Sequence, residues 1–454
     1  MLIRLEVSNI LSFHRQAELH LVASRERIHA DHVVPPRKRY HPRLLRTGLV
    51  YGANASGKSN LVKAVRFAQR LVLQGTEPDE QIPVIPFRLD RGAEGEPSSF
   101  EFEFLAGDEV YVYGMTFHPA RIEREWLLVR RAKEDRPLFL RESPGNGSTE
   151  VEFGPFVRNV DEEERQFLRF VAQGTRPNQP FLTECQERNV KHFRDPIEWF
   201  QSSLHALSPD EPYGPVEIRL DRDRSFKDFF SEVLASAGTD ISQIETQDED
   251  LDTHARIPDH LKKFAREHVR ENAVAFTKDP EGRRFALRRR NGKLLTTRVT
   301  TSHDLPDGSG DVSFELNEES DGTQRLFDLI PILYELVTAE TPKVALIDEI
   351  GRSLHPHLVR MLFEVHLDPS AMGQRTQLIA TTHDTSLLDL DLFRRDEIWF
   401  VEKDRDQSST LFSLHDFDPR YDKDVRKDYM LGRYGGVPFL GNPVKIRSPT
   451  ASRE

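Results

Sequence analysis

The sequence predicts an α/β fold, and three observations carry that reading. A short apolar run, Thr47-Gly48-Leu49-Val50-Tyr51, leads into a glycine-rich loop. Leu61-Val62-Lys63-Ala64-Val65-Arg66-Phe67-Ala68 then follows with apolar residues at helical spacing. From 312 to about 402 the chain again alternates strand-like and helix-like segments. Between these, residues 84–131 are rich in strands: Phe100-Glu101-Phe102-Glu103-Phe104 and Val110-Tyr111-Val112-Tyr113 alternate strictly, as expected of an antiparallel lobe.

Composition narrows the classes. A chain of 454 residues is long enough for roughly two to four domains with a sizeable core. A net charge of −12 argues against a surface that binds nucleic acid all over, but leaves room for a local basic patch. The single cysteine, Cys185, excludes an intramolecular disulfide framework and a cysteine-based zinc site, and is expected as a buried thiol on a helix. The longest apolar runs, such as Val344-Ala345-Leu346-Ile347, are too short to span a bilayer. Met1-Leu2-Ile3-Arg4-Leu5-Glu6-Val7 reads as a strand rather than a targeting segment, so the expected location is the cytoplasm, with no membrane partner.

Taken in order, residues 1–23 read as two strands joined by Ser8-Asn9-Ile10-Leu11-Ser12-Phe13-His14. Pro35 to Arg43 is a basic, proline-punctuated loop. From about 161 to 275 the character turns helical, with Ile197, Trp199, Phe200 and Leu204, then Phe226, Phe229, Phe230, Val233 and Leu234, at helical spacing. Ser208 to Pro212 and Asp248-Glu249-Asp250 read as loops. Asn291-Gly292 between Arg283–Arg290 and Lys293–Arg298 predicts a β-hairpin, and a strongly basic one. Its self-repulsion calls for an anion opposite: nucleic-acid phosphate, an acidic partner surface, or the chain's own Asp248-Glu249-Asp250. The expected division is 1–155 as the first part of a nucleotide-binding head with its β lobe, and 156–310 as a helical insert carrying the hairpin at about 283–298. The second part of the head follows at 311–442, then a disordered tail at 443–454.

The chemistry starts at Gly52-Ala53-Asn54-Ala55-Ser56-Gly57-Lys58-Ser59, followed by Asn60, which fits the phosphate-loop pattern G-x-x-x-x-G-K-[ST]. Backbone N–H groups of such a loop cradle phosphate oxygens, and the following helix adds its dipole. Lys58 supplies a point charge to the β- and γ-phosphates, and Ser59 a hydroxyl to Mg²⁺. Downstream, Ser320-Asp321-Gly322-Thr323-Gln324 opens an apolar helix, with Ser320 as N-cap and Gly322 permitting close backbone approach. Lys343-Val344-Ala345-Leu346-Ile347-Asp348-Glu349 is a buried strand ending in two acids. Asp348 can hold Mg²⁺, and Glu349 can polarise an attacking water. Gly351 to Pro356 follows at once, and Gln377-Leu378-Ile379-Ala380-Thr381-Thr382-His383 is a further buried strand ending in a histidine. Polar groups at the carboxyl ends of parallel strands share one crevice. Glu402, Asp404 and Asp406 invite a metal reading, but the segment reads better as a strand and hairpin turn.

This order of motifs resembles the ABC-type ATPase heads of the SMC, RecF and OLD proteins, over about 1–130 and 310–403. The ending Tyr429-Met430-Leu431-Gly432-Arg433-Tyr434-Gly435-Gly436-Val437-Pro438 resembles that of the AAA-type ATP-binding proteins of bacterial abortive-infection loci, such as AbiL, RloA and the AriA-like proteins of PARIS systems. The resemblance implies an α/β P-loop head with an antiparallel β lobe and a helical insert in place of long coiled coils. It implies ATP and Mg²⁺ as cofactors, slow hydrolysis of ATP, and a homo-oligomer of at least two subunits with composite sites. Ser320 and Gly322 would lie in the signature motif that reaches the γ-phosphate held by a second subunit. His383 would be the switch histidine, the stretch around Leu354-His355 the D-loop, and Gln81 a candidate Q-loop residue. The sequence departs from the family at the signature, which reads Ser-Asp-Gly-Thr-Gln rather than Ser-Gly-Gly-Gln, and it has no zinc hook. The implied role is a sensor ATPase of an antiphage system, controlling a separately encoded toxin or TOPRIM-like nuclease. Two other readings stay open: a RecF-like DNA-repair ATPase that uses the basic hairpin on duplex DNA, and a scaffold that binds ATP and turns it over too slowly for energy coupling to matter.

Overall fold

The computed structural model describes residues 1–437 apart from 91, 144–148, 210, 215, 252–256, 272, 279–282, 372–374 and 422. The tail at 443–454 and Pro438 of the terminal motif lie outside the described residues.

A six-stranded sheet forms the centre. Its strands are β1 (Thr47–Gly52), β2 (Leu204–Leu207), β3 (Lys343–Ile347), β4 (Thr376–Thr382), β5 (Ile398–Lys403) and β6 (Ser409–Ser413). They lie side by side in the order β2-β3-β4-β1-β5-β6. All neighbours run parallel except the β5–β6 hairpin. Both faces are covered, which is why these strands read as continuous apolar runs. Val50, Leu346, Ile379 and Val401 face one core, shared with helix α1 (Lys58–Gln74) and the β lobe. Leu49, Tyr51, Ala345, Ile347, Leu378 and Phe400 face the other, shared with α2 (Asp321–Thr338) and α3 (Pro356–Leu367).

The lobe is a seven-stranded antiparallel sheet. The strand Leu2–Ser8 pairs with Ala17–His20 on one side and Ser98–Ala106 on the other; the sheet continues through Glu109–His118, Arg121–Val129 and Arg136–Glu142 to Glu150–Phe153. A buried carboxylate fastens it to the helices that follow. Glu125 accepts from Tyr113 Oη at 3.0 Å, from Arg141 at 3.2 Å and from the backbone N–H groups of Phe181 and Leu182 at 2.7 and 3.0 Å. That set satisfies a charge taken wholly out of water. Cys185 is buried on the helix Phe181–Glu187 that starts there.

The stretch read as helical is only partly so. Helices occupy Glu162–Gly174, Val216–Arg222, Arg224–Ser236 and Asp259–His268. Leu204, however, opens β2: the helix around Ile197 ends in a π-turn at Trp199–Ser203, and the next four residues pair in parallel with β3. Four residues are too few to display a period. Asp248-Glu249-Asp250 is likewise no loop but the end of the strand Ile241–Asp250, which pairs with Lys293–Asp304. This strand has no apolar alternation to announce it; charges across the sheet hold it. The second sheet also includes Arg284–Arg290, Val274–Lys278 and Asp311–Glu315. Asn291 (φ 52°) and Gly292 (φ 76°) form the two-residue turn with both residues left-handed that Asn-Gly favours.

At the base of the central sheet, His366 of α3 is wholly buried, its Nε2–H donating to Arg46 O at 3.0 Å. Burial, together with the Arg46 charge, pushes its pKa down to about 3. Unfolded, the same ring takes up a proton near pH 6.5, so acid favours the unfolded chain. Stability is therefore expected to fall as pH drops from about 6.5 towards 3, by about 1.4 kcal/mol per unit from this residue. Urea midpoints measured between pH 7.5 and 4.5 check it: His366→Gln should flatten the dependence, and an unchanged slope would remove His366 from it.

Candidate nucleotide site

The parallel register places the carboxyl ends of β1, β3 and β4 in one row. Ile347 is registered with Ala380, and Ala380 with Leu49. The next residues along each strand are Asp348, Thr381 and Val50, and two residues beyond Val50 the chain enters the glycine loop. The crevice lies at this edge, as in other open α/β sheets.

The loop is built for close approach. A Cβ on Gly52 would lie 2.5 Å from Ser56 Oγ and 2.6 Å from Val401 O. Gly57 has φ 120°, and a Cβ there would meet Ser409 Oγ and Ser12 Oγ. Ser409 Oγ clasps the loop, donating to Ser56 O at 2.5 Å and lying 2.8 Å from Ser12 Oγ. Lys58, the first residue of α1, turns back and donates to Gly52 O at 2.7 Å and Ala53 O at 3.1 Å. Burial lowers its pKa, while Glu349 and Asp348 pull it back up, so both carboxylates act on this ammonium. The buried Ser56 hydroxyl has no hydrogen-bond partner among the described residues. An orphan hydroxyl, a buried cation and a glycine-lined concavity fit a polyphosphate. Asn54 and Ala55 are exposed, and Ser59 and Asn60 half-buried, around the same rim.

Asp348 is buried and Glu349 half-buried. Between them stands Thr381, whose hydroxyl donates to Asp348 Oδ1 at 2.5 Å and accepts from Glu349 N–H at 2.8 Å. Glu349 is left-handed, at φ 46°; Ala55 (φ 64°) and Ser353 (φ 61°) share that unfavourable region. Each costs on the order of 1–3 kcal/mol, and such strain persists where a site needs its side chains aimed. Sequence reasoning missed Thr381, although a polar residue inside an apolar strand was the available signal. It also missed Ser409, for which the sequence offers none. Thr381→Val keeps shape but orphans a buried carboxylate oxygen and an N–H. A loss of about 1–3 kcal/mol is expected. If ATP is hydrolysed here, turnover should drop about tenfold while ATP binding stays within a few-fold. Melting curves and steady-state kinetics together decide; wild-type values in both would leave Thr381 without a role.

His383 is exposed just past the end of β4. With Gly52, Ala53, Asn54, Thr385 and Glu402 it lines a cavity of about 810 Å³, whose far wall is the terminal segment from Tyr429 to Val437. This segment docks on the core: Tyr429 stacks on Phe400 at 5.4 Å, and its hydroxyl donates to Gly436 O at 2.9 Å. Glu402, Asp404 and Asp406 fall on β5 and its hairpin turn, as the sequence suggested. Gln81 is exposed beyond the end of α1.

Ser320 and Gly322 form a second locus. Ser320 caps α2, its Oγ accepting from Thr323 N at 3.2 Å, and it is exposed. A Cβ on Gly322 would lie 2.9 Å from Ser353 O, so the helix start packs against the turn that follows Glu349. The second sheet reaches this helix too. Glu319 accepts from Thr301 Oγ1 at 2.5 Å and lies 2.9 Å from His303, and Arg284 pairs with Asp328 of α2 at 2.7 Å. Arg284, Arg288 and Arg298 of the hairpin thus meet the chain's own acids. Arg288 pairs with Asp248 and, at 3.5 Å, with Asp221; Arg298 pairs with Glu315 at 2.6 Å and Glu249 at 3.7 Å. At these three positions the charge is offset within the chain.

The chain is similar to the SMC head domain from Thermotoga maritima, with 14% identity, a TM-score of 0.36 and coverage of 91% of this chain and 98% of that one. It is also similar to an SMC head solved bound to the C-terminal winged-helix domain of ScpA, at 14% identity and a TM-score of 0.38 over 91% and 97% of the two chains. A comparison with curated proteins finds no match. Residues 49–389 match the family described as "AAA domain, putative AbiEii toxin, Type IV TA system". That span runs from β1 past His383 and takes in the phosphate loop, Ser320, Asp348 and Glu349, well over half of the chain, which therefore belongs to this AAA-domain family.

Proposed function

We infer that the protein hydrolyses ATP to ADP and phosphate at this crevice, and that it serves as the sensor ATPase of an antiphage locus. The carrying observation is the Thr381 bridge, which ties the Asp348 carboxylate to the Glu349 backbone at the mouth of the phosphate loop, where both acids act on Lys58. Backbone N–H groups of residues 53–58 and the Lys58 ammonium would hold the phosphates, with Ser56 Oγ as a further donor. Ser59 and Asp348 are the residues to hold Mg²⁺, which when bound neutralises charge on the β- and γ-oxygens. Glu349, aimed by its backbone, accepts a proton from the attacking water. His383, which lines the cavity, would contact the γ-phosphate.

The exposure of both His383 and the Ser320 helix start suits a site completed by a second subunit, so the working unit is at least a homodimer. The family's association with toxin systems supports control of a separately encoded toxin or nuclease. The internal ion pairs of the basic hairpin withdraw support from the RecF-like alternative. The test combines two readouts. Lys58→Ala should abolish ATP binding by calorimetry, because the phosphates lose the loop's only cation, and should abolish protection of cells carrying the intact locus against phage. Unchanged affinity would overturn the site. Lost binding with full protection would overturn the sensor role.

A further inference from the structure

The central sheet has a second edge, at the amino ends of its parallel strands, and three metal-ligating side chains meet there. His29, Asp31 and His32 each offer a ligand atom within 4.8 Å of the others. They sit on one short turn, Ala30–His32, entered through a left-handed His29 (φ 48°), which brings its ring to 4.9 Å from that of His32. Such a backbone costs energy for a non-glycine residue and calls for a reason.

The decisive feature lies behind the rings. His29 Nε2 is 2.9 Å from Leu390 O. A carbonyl only accepts, so Nε2 carries the hydrogen and Nδ1 keeps a free lone pair. His32 Nδ1 is 3.1 Å from both oxygens of Glu397, a carboxylate with no exposure at all, which also accepts from Arg394 N–H at 2.8 Å. His32 therefore keeps its lone pair on Nε2. Carbonyl or carboxylate behind each imidazole is the outer shell that orients metal-binding histidines and raises their basicity. The loop is held independently of any ion: Arg394 donates to Ile28 O at 2.7 Å and to both oxygens of Asp396. Arg46 lies buried close by, where Asp31 and Glu397 act on its charge.

We propose that His29, Asp31 and His32 bind a divalent ion of the zinc class, with Glu397 and the Leu390 carbonyl as its outer shell. Two imidazoles and one carboxylate suit zinc and leave a fourth position for water. The site is separate from that for ATP and Mg²⁺. Glu397 immediately precedes β5 and Arg46 immediately precedes β1, and a six-residue strand spans about 20 Å to the phosphate loop. The bound ion would lock the turn at 29–32 and stiffen, through its outer shell, the contacts that already hold it at the base of the central sheet.

The test uses the full chain, stripped with chelator and titrated with ZnCl₂ by calorimetry and with CoCl₂ by visible absorption. One ion per chain is expected, with Kd in the micromolar range or below, visible cobalt bands, and a melting temperature that rises with zinc. Because His32 is buried, its replacement can unfold the chain, so the variants are His29→Ala and Asp31→Ala. Each should weaken binding at least tenfold and abolish the zinc-dependent rise, with the metal-free melting temperature within a few degrees of wild type. Lys58→Ala should bind zinc as the wild type does. No saturable one-to-one binding, equal binding by wild type and both variants, or binding lost in Lys58→Ala would each overturn the proposal.

Discussion

Glu349→Gln is expected to bind ATP and to hydrolyse it about two orders of magnitude more slowly, or less. The substitution preserves volume, and the backbone that aims the residue is held through its own N–H by Thr381 Oγ1 at 2.8 Å, a bond that does not depend on the side chain. The left-handed turn at φ 46° is therefore expected to survive. What is lost is the proton acceptor. Removing one of the two carboxylates acting on Lys58 also lowers repulsion towards phosphate, so affinity should stay level or rise. Uncleaved ATP would then hold the assembled subunits together. Calorimetry, phosphate release and light scattering in the presence of ATP and Mg²⁺ measure the three consequences. A variant that releases phosphate at the wild-type rate removes Glu349 from the mechanism, whatever its geometry.

What the sequence announced and what it hid separate by range. The phosphate loop is a local object: two glycines where a Cβ would clash, a lysine and a helix start lie within eight residues, and each leaves its mark in the string. The strand before Asp348 is similarly plain, because burial on both faces demands an unbroken apolar run. Thr381 acts only through the register of β4 on β3, and Ser409 only because β6 folds back over the loop; neither relation is written near the residue itself. Distance also hid the strand Ile241–Asp250. Its acids looked like a solvated loop until Arg288, 40 positions away, was found opposite Asp248. The same pairing shows why a charge count misleads: seven cations between Arg283 and Arg298 suggest a phosphate surface, yet Arg284, Arg288 and Arg298 each meet an acid of this chain.

Mixing two inactive variants is expected to restore activity. Ser320→Arg puts bulk and charge at the exposed start of α2, where Ser320 Oγ caps the helix through Thr323 N–H. Loss of that cap costs about 1 kcal/mol, too little to unfold the chain. The variant should bind ATP normally, since the phosphate loop is untouched, and should hydrolyse none if a γ-phosphate held by another subunit needs this helix start. Lys58→Ala has the opposite lesion: an intact helix start and no nucleotide affinity. In a dimer that joins one of each, the site formed by Lys58 of the Ser320→Arg subunit and Ser320 of the Lys58→Ala subunit is whole. Its counterpart carries both lesions. With random exchange half of the dimers at an equal mixture are mixed, each with one whole site of two, so hydrolysis should return to about a quarter of the wild-type rate if sites act independently. The recovery should peak at equal proportions and vanish at either extreme. Exchange is verified separately by energy transfer between labelled subunits. No recovery at any ratio, with exchange confirmed, would mean that the site is completed within one chain, and the packing of Gly322 on Ser353 would then be the route by which α2 acts on Glu349.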